Sequence, residues 1–205
     1  MLIPLQTLMA KYQLAITGIL HVGAHECEER GVYGEVGVTD VYWVEALQDK
    51  VDFCKIQFPV NIFQGVIDEA DGYMVPFYVT NNGRSSSMLA LGTHARNHPE
   101  VSVVGLTTLE TSRLDTLMER ERIPIQTLNF IKVDIQGVEL RALKSMEKHL
   151  EHVRYIYTKV HTEQVYRGCD EVGDVDKYLL GFGFHRVETK FWGKCGWGDA
   201  FYIRQ

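Results

Sequence analysis

The stretch "GILHVGAHECEERGVYG", Gly18 to Gly34, passes from a short apolar run through a small-residue turn into a group of carboxylates. Such a run, ending at Gly23 and followed by a segment able to form a helix, reads as the first βα unit of an open sheet. The same rhythm recurs downstream. "DVYWVEA" (Asp40 to Ala46), "NIFQGVI" (Asn61 to Ile67), "LNFIKVD" (Leu128 to Asp134) and "VRYIYTKVH" (Val153 to His161) are short and rich in β-branched and aromatic residues, as strands are. Between them, "QDKVDFCKIQF" and Gly137 to Leu150 can form helices, the second with Leu143, Met146 and Leu150 on one face. Strands alternating with helices predict an α/β protein around a mostly parallel sheet. The segment from Tyr73 to Thr111 breaks the rhythm: "MVPFYVTNNG" ends in the Asn-Gly of a hairpin turn, and "SVVGLTTLETSRLDTL" reads as a strand and a short helix. We expect an insertion over the active face there, and a closing hairpin from "GFGFHRVETKF" and "GWGDAFYIRQ".

With 205 residues, 45% hydrophobic and 23% charged, the chain has the size of one domain, residues 1–205, with a core large enough to fold alone. A formal net charge of -6 with scattered Lys and Arg gives no basic footprint, so nucleic acid is not an expected partner. Cys27, Cys54, Cys169 and Cys195 are far apart and form no CxxC pair, which fits a reduced, cytoplasmic chain. No apolar run approaches the roughly 18 residues of a membrane span. The start "MLIPLQTLMAKYQ" lacks the basic region and cleavage site of a signal peptide.

Ligands of open α/β sheets bind beyond the carboxyl ends of the strands, so the residues that follow each strand are the candidates. Gly23 permits a tight turn or a close approach to a ligand, but "HVGAHE" is not the full GxGxxG fingerprint of a dinucleotide site. Glu45 ends the next strand 22 residues after Gly23, near the spacing of a carboxylate that accepts ribose hydroxyls. Asp68, after the third strand, reads either as a contact to an adenine amino group or as part of a solvated turn. Carboxylates beside Gly23 would repel a pyrophosphate and suit a cationic ligand such as S-adenosylmethionine, or else Glu26, Glu28 and Glu29 complement a helix N-terminus. Asp134 stands at the end of "IKVD" as the first catalytic candidate, with a helix cap as its other reading. His161 ends the following strand and is placed to accept a hydroxyl proton beside it. The loop "NNGRSSS" offers Arg84 and Ser85 to Ser87 to a cofactor carboxylate or a sugar. Trp192 and Trp197 offer a flat wall for a sugar face, and Asp199 a partner for its hydroxyls.

In this order along the chain, "HVGAHE", "VYWVEA", "YVTNNGRSSSM", "RLDTL", "NFIKVDIQGVEL" and "WGDAFYI" resemble the FkbM-type S-adenosylmethionine-dependent methyltransferases, many of which O-methylate sugars and glycosylated products. The resemblance runs from about Ile19 to Ile203, and "KVDIQGVEL" is its most specific block. It implies a Rossmann-like methyltransferase fold with an antiparallel last strand and a hairpin insertion. It also implies Gly23, His25 and Glu29 at the methionine end of the cofactor, Glu45 at its ribose and Asp68 at its adenine, with Ser86 of the "NNGRSSS" loop as a further cofactor-binding candidate. Arg84, Trp197 and Asp199 would hold the acceptor, a sugar, glycan or glycosylated small molecule, and Asp134 and His161 would be catalytic. A divalent cation, Mg or Mn, held at Asp134 is part of the same expectation. Three residues depart from the family pattern: His21 stands where Asp is common, Cys27 where a second Gly is common, and Lys159 where an acidic residue is expected. The residues alone also admit a nicotinamide-dependent sugar oxidoreductase, through the Gly23 and Glu45 pair, and a noncatalytic nucleoside- or carbohydrate-binding module.

Overall fold

A computed structural model describes residues 1–205. In chain order, α1 (Leu5–Tyr12), β1 (Ile19–Val22), α2 (Arg30–Glu35), β2 (Val41–Glu45), α3 (Gln48–Gln57) and β3 (Asn61–Gln64) form the first half of a wound sheet. The insertion contains β4 (Val66–Ile67), β5 (Met74–Thr80), α4 (His94–Asn97), β6 (Val103–Ser112) and α5 (Leu114–Arg120). The second half follows with β7 (Phe130–Val133), α6 (Glu139–Ser145), β8 (Tyr155–His161), α7 (Val172–Leu180), β9 (Phe184–Phe191) and β10 (Trp197–Arg204). The main sheet has the order β3-β2-β1-β7-β8-β10-β9, parallel from β3 through β8, and β10 runs antiparallel to both β8 and β9.

The strands of a sheet covered on both faces are apolar throughout rather than alternating, and all four residues of β1 and of β7 are buried. Leu20, Val22, Val44, Ile131, Val133 and Ile156 pack with Leu117 of α5, Leu143 of α6 and Leu179 of α7. On the other face, Ile19, Trp43, Phe130, Tyr155 and Phe201 pack with Leu5 and Leu8 of α1, Tyr33 of α2 and Val51 of α3. His21 and Lys132 are the polar residues inserted into this second layer, and the parallel register sets them side by side.

The α/β class, the five principal strands and the terminal hairpin agree with the sequence reading. "NIFQGVI" is not one strand. At Gly65 the chain leaves the main sheet, and Val66 and Ile67 pair instead with Thr111 and Ser112 of β6. A Cβ at Gly65 would meet Leu117 Cδ1 at 2.3 Å, so the bend brings the backbone against α5. The Asn-Gly turn does fold the chain back, and Tyr78 and Ser87 exchange backbone hydrogen bonds across it. The long antiparallel partner of β5, however, is β6, some twenty residues further on. Helices α1 and α7 lie where the sequence reading places none, although Glu171 and Asp174 form a capping box before Val175 and Leu179, a signal present in the sequence. No helix is long and apolar enough to cross a membrane.

Candidate active site

A cleft of about 500 Å³ opens at the carboxyl ends of β1, β2, β7 and β8, and the insertion covers it. Gly23, His25, Glu29, Glu45, Arg84, Ser86, Asp134, His161, Trp197 and Asp199 all line it. Sequence-distant candidates therefore meet in one place. Asp68 is the exception: Val66 and Ile67 still line the cleft, but the Asp68 carboxylate beyond them lies 3.7 Å from Arg141 and is not on the cleft wall.

The amides of Gly23 and Ala24 both donate to the Val44 carbonyl, at 2.8 and 3.0 Å, so they are committed to β2 and not presented to a ligand. The glycine serves instead to pass the Asp134 backbone. Beyond it, residues 25 to 29 form a turn in which each glutamate has a cationic partner. Glu26 pairs with Lys50, Glu28 with His25 at 2.8 Å and with Arg84 at 2.9 Å, and Glu29 with Lys132 at 3.2 Å. Glu26 and Glu28 precede α2 rather than forming its first turn, and Glu29 stands at its N-cap position without a side-chain cap hydrogen bond. Burial opposes ionisation of Glu28, but the His25 hydrogen bond and Arg84 outweigh it and bring the pKa down to about 2. Burial likewise opposes ionisation of Glu29, and Lys132 holds that carboxyl well below its usual range.

Glu45 fixes this turn. Its two oxygens accept the backbone N–H groups of His25 and Leu47, at 2.8 and 3.0 Å, and burial raises its pKa despite those bonds. Glu45→Gln sets an NH₂ group against one of the two N–H donors, so we expect cofactor affinity to fall roughly 10- to 100-fold, the loss of one charge-assisted hydrogen bond of about 1.5–3 kcal/mol. Calorimetry across pH checks the cause. A raised pKa predicts that wild-type affinity weakens as pH falls through it, whereas affinity of the Gln variant lacks that limb.

The sheet register assembles the other end of the cleft. Lys132 stands opposite His21 and Tyr157, Lys159 opposite Asp199, and His161 opposite Trp197. One residue past the paired part of β7, Asp134 meets Lys159, with Oδ1 at 2.8 Å from Nζ and Oδ2 at 3.9 Å from Lys132 Nζ. Burial disfavours the Asp134 carboxylate, but Lys159 and Lys132 outweigh it and hold its pKa below the ordinary value. Lys159, where the resemblance implies an acidic residue, is thus the counter-charge to Asp134. Gln136, in the left-handed region at φ +59, ties the group together: its Nε2 donates to Asp134 at 2.9 Å, and its Oε1 accepts the Tyr166 hydroxyl at 2.8 Å. Asp134 does not cap α6. The N-cap position is Val138 and no side chain caps the helix; Glu139, its first residue, accepts the Ile135 and Gly137 amides of the preceding loop at 3.0–3.1 Å.

His161 is 1% exposed and neither ring nitrogen has a hydrogen-bond partner. Its charged neighbour is Glu139, at 3.5 Å, and not Asp134 as expected. Trp197 carries the Lys159 ammonium 4.6 Å from its ring centre and stacks on Trp192 at 5.9 Å, so its flat faces are largely occupied within the protein. Asp199 is buried and already accepts the Leu2 amide and the Tyr157 hydroxyl. Ser86 Oγ accepts the Thr80 amide at 3.0 Å, and Arg84 remains at the exposed rim with Glu28. Under the turn, neutral His21, whose pKa burial and then Lys132 lower to about 3, bridges Lys132 Nζ at 2.9 Å and the Tyr33 hydroxyl at 3.1 Å. No group of three or more His, Cys, Asp or Glu side chains suited to a metal ion is present, so the expected divalent cation at Asp134 has no support: two lysines meet that charge. Gln136, Tyr166, His94 and His98 also line the cleft and are not among the residues the sequence singles out; the four-residue spacing in "HARNH" is the available sign for the histidines.

The FkbM methyltransferase domain matches residues 21–186. The chain belongs to the FkbM methyltransferase family. Among relatives, the hexuronic acid methyltransferase AglP of Haloferax volcanii is 32% identical over 101 residues, a match covering 46% of this chain and 39% of that one. The chain thus aligns with well under half the length of this relative. Among solved structures, an S-adenosylmethionine-dependent methyltransferase from Clostridium acetobutylicum superposes with a TM-score of 0.55 at 7% identity, covering 97% of this chain and 88% of that one. Magnesium protoporphyrin IX methyltransferase from Synechocystis, solved with bound S-adenosylmethionine, gives 0.54 at 10% identity, covering 98% and 76%. The fold of this FkbM protein is accordingly the Rossmann-like fold of S-adenosylmethionine-dependent methyltransferases, with the antiparallel strand β10 as expected. Membership in this family displaces the oxidoreductase reading.

Proposed function

We propose that this FkbM protein methylates a hydroxyl of a sugar, glycan or glycosylated small molecule with S-adenosylmethionine. The observation that carries the reading is the cleft itself, which sets the Glu45-braced turn at one end and the Asp134, Lys159 and His161 group at the other. A relative named for hexuronic acid methylation supports the choice of a sugar. S-adenosylmethionine, when bound, supplies an electrophilic methyl group on sulfur, and direct transfer requires no covalent enzyme intermediate. Glu45 retains lone pairs for ribose hydroxyls beyond the two amides it accepts. The apolar walls at Val44, Val66, Ile67 and Val138 suit an adenine, a role we give them in place of Asp68. Gly23, His25, Glu29 and Ser86 surround the methionine end, where ionised Glu28 and Glu29 favour an ammonium.

Toward the acceptor, Asp134 accepts a hydrogen bond from a hydroxyl beside the reacting one and so orients the reacting hydroxyl. His161, backed by Glu139, takes the proton. Arg84, Trp197 and Asp199 border the space for the remainder of the sugar. Alignment provides most of the acceleration, so a carboxylate with a lowered pKa is an adequate orienting group even though it is a weak base. Calorimetric titration followed by methyl transfer to a panel of hexuronic acids and glycosides tests this assignment. S-adenosylmethionine and its demethylated product are expected to bind and NAD is not, because the Gly23 and Ala24 amides are both given to the Val44 carbonyl and leave no backbone cradle for a pyrophosphate. Tight NAD binding overturns the cofactor assignment, and turnover on no sugar overturns the acceptor class.

A further inference from the structure

The insertion brings two histidines onto the acceptor side of the cleft, and neither has a part in the transfer step. His94 opens α4 and His98 follows one turn later, so their rings lie 4.8 Å apart. His94 also lies 5.5 Å from the Tyr166 ring, which meets His161 edge-on at 6.0 Å. All four residues line the cleft together with Trp197.

The two imidazoles differ in what they already bind. His98 Nε2 accepts the Trp197 indole N–H at 3.4 Å, which leaves its proton on Nδ1, 3.4 Å from Glu100. Both nitrogens are engaged, and His98 serves to position Trp197. His94 is only 7% exposed, makes no side-chain hydrogen bond, and keeps a buried Nδ1 with no partner. Burial, then His98 and Lys159, lower its pKa to about 4, so at neutral pH the ring is an uncharged donor and acceptor. Apart from His161, which serves the transfer step, the neighbouring polar groups are already engaged: Lys159 by Asp134 and Trp197, Asp199 by Tyr157 and Leu2, Gln136 by Tyr166 and Asp134. A buried imidazole left without a partner is costly, and a bound ligand that completes its hydrogen bonding removes that cost.

We propose that His94 is an acceptor-binding residue, holding through its imidazole a ring hydroxyl of the sugar next to the hydroxyl that is methylated. The inference rests on the sugar reading above and adds that the group met at this wall is a neutral hydroxyl and not a carboxylate. The imidazole can both donate to and accept from a hydroxyl, but to a carboxylate it offers one neutral donor and no positive charge.

The test is an NMR titration of the protein, saturated with S-adenosylhomocysteine, with methyl glucopyranoside, methyl glucuronide and phenol. Wild type is expected to bind the two sugars in preference to phenol. His94→Phe keeps the ring and removes its nitrogens, and should weaken sugar binding about tenfold, the worth of one hydrogen bond. His94→Gln should restore most of that loss. Calorimetric affinity for S-adenosylhomocysteine should be unchanged in both variants, which also shows that each has folded. If His94→Phe binds the sugars as wild type does, the His94 assignment is wrong while the sugar reading stands. If wild type binds S-adenosylhomocysteine but neither sugar, the sugar reading falls and takes this inference with it.

Discussion

Asp134→Asn should lower turnover roughly 10²- to 10⁴-fold, the range of effects seen when a group that orients or deprotonates the nucleophile is removed. The amide matches the carboxylate in shape and loses its charge. That charge also has a structural task, since Asp134 lies 2.8 Å from Lys159 and 3.9 Å from Lys132, and both ammonium groups are largely buried. Lys132 keeps Glu29 at 3.2 Å, but leaving Lys159 without its counter-ion should cost about 1–3 kcal/mol, less than for a fully buried pair because 29% of the Asp134 side chain is exposed. A fall in activity could then reflect either lost chemistry or a loosened fold, and Lys159→Met separates the two. Added to Asp134→Asn, it removes the orphaned charge and should recover much of the melting temperature. If turnover recovers with it, Asp134 is structural; if stability returns without turnover, Asp134 acts on the acceptor. Because His161 faces Glu139 and shares no hydrogen bond or ion pair with Asp134, the effects of Asp134→Asn and His161→Gln should multiply in the double variant. A double variant no worse than its weaker parent shows instead that the two residues work as one unit.

The sequence exposes those features of this protein that depend on local pattern. Short β-branched runs mark the parallel strands, and strand ends put Gly23, Glu45, Asp134 and His161 on one rim, because a strand's carboxyl end fixes where its next residue lies. Pairings across the sheet are not local. Nothing in "YTKVH" says that Lys159 will face Asp134, a relation that arises only when β7 and β8 pair in the register Phe130 to Tyr155. For the same reason strand order alone pairs His161 with Asp134, whereas the fold gives it Glu139 from α6. Asp68 lies just past Val66 and Ile67, which pair with β6 and not with the main sheet, a switch of partner that the apolar run "NIFQGVI" conceals. The histidines of α4 reach the cleft through a long excursion between β5 and β6 whose path no periodicity encodes.

Gly23→Ala should destabilise the protein by about 2–6 kcal/mol, the sum of a backbone strain and an overpacking cost. Gly23 has φ +91, where a side chain is strained whatever the space, and a Cβ there would stand 2.0 Å from the Asp134 carbonyl oxygen and 3.1 Å from Ile135 Cγ2. The contact cannot be relieved by rotating a side chain, since the obstructing atom is backbone. Asp134 is in turn held by its own amide on the Val22 carbonyl at 2.9 Å, and Gly23 by its amide on the Val44 carbonyl at 2.8 Å. Relief therefore means parting β1 from β7 or from β2 at the floor of the cleft, so cofactor affinity should fall together with stability. At roughly 2–4 °C per kcal/mol for a chain of this size, the melting temperature should drop by about 5–20 °C. Gly37 provides the control, with φ +76 and nothing within 4 Å of where a Cβ would stand, so Gly37→Ala carries the conformational cost alone, about 1–2 kcal/mol. Urea unfolding of the two variants with unchanged m-values measures the difference. Equal losses at the two glycines show that the approach of β1 to Asp134 is not what demands Gly23; a larger loss at Gly23, with weakened S-adenosylhomocysteine binding only there, shows that one glycine sets both the strand packing and the floor on which the cofactor rests.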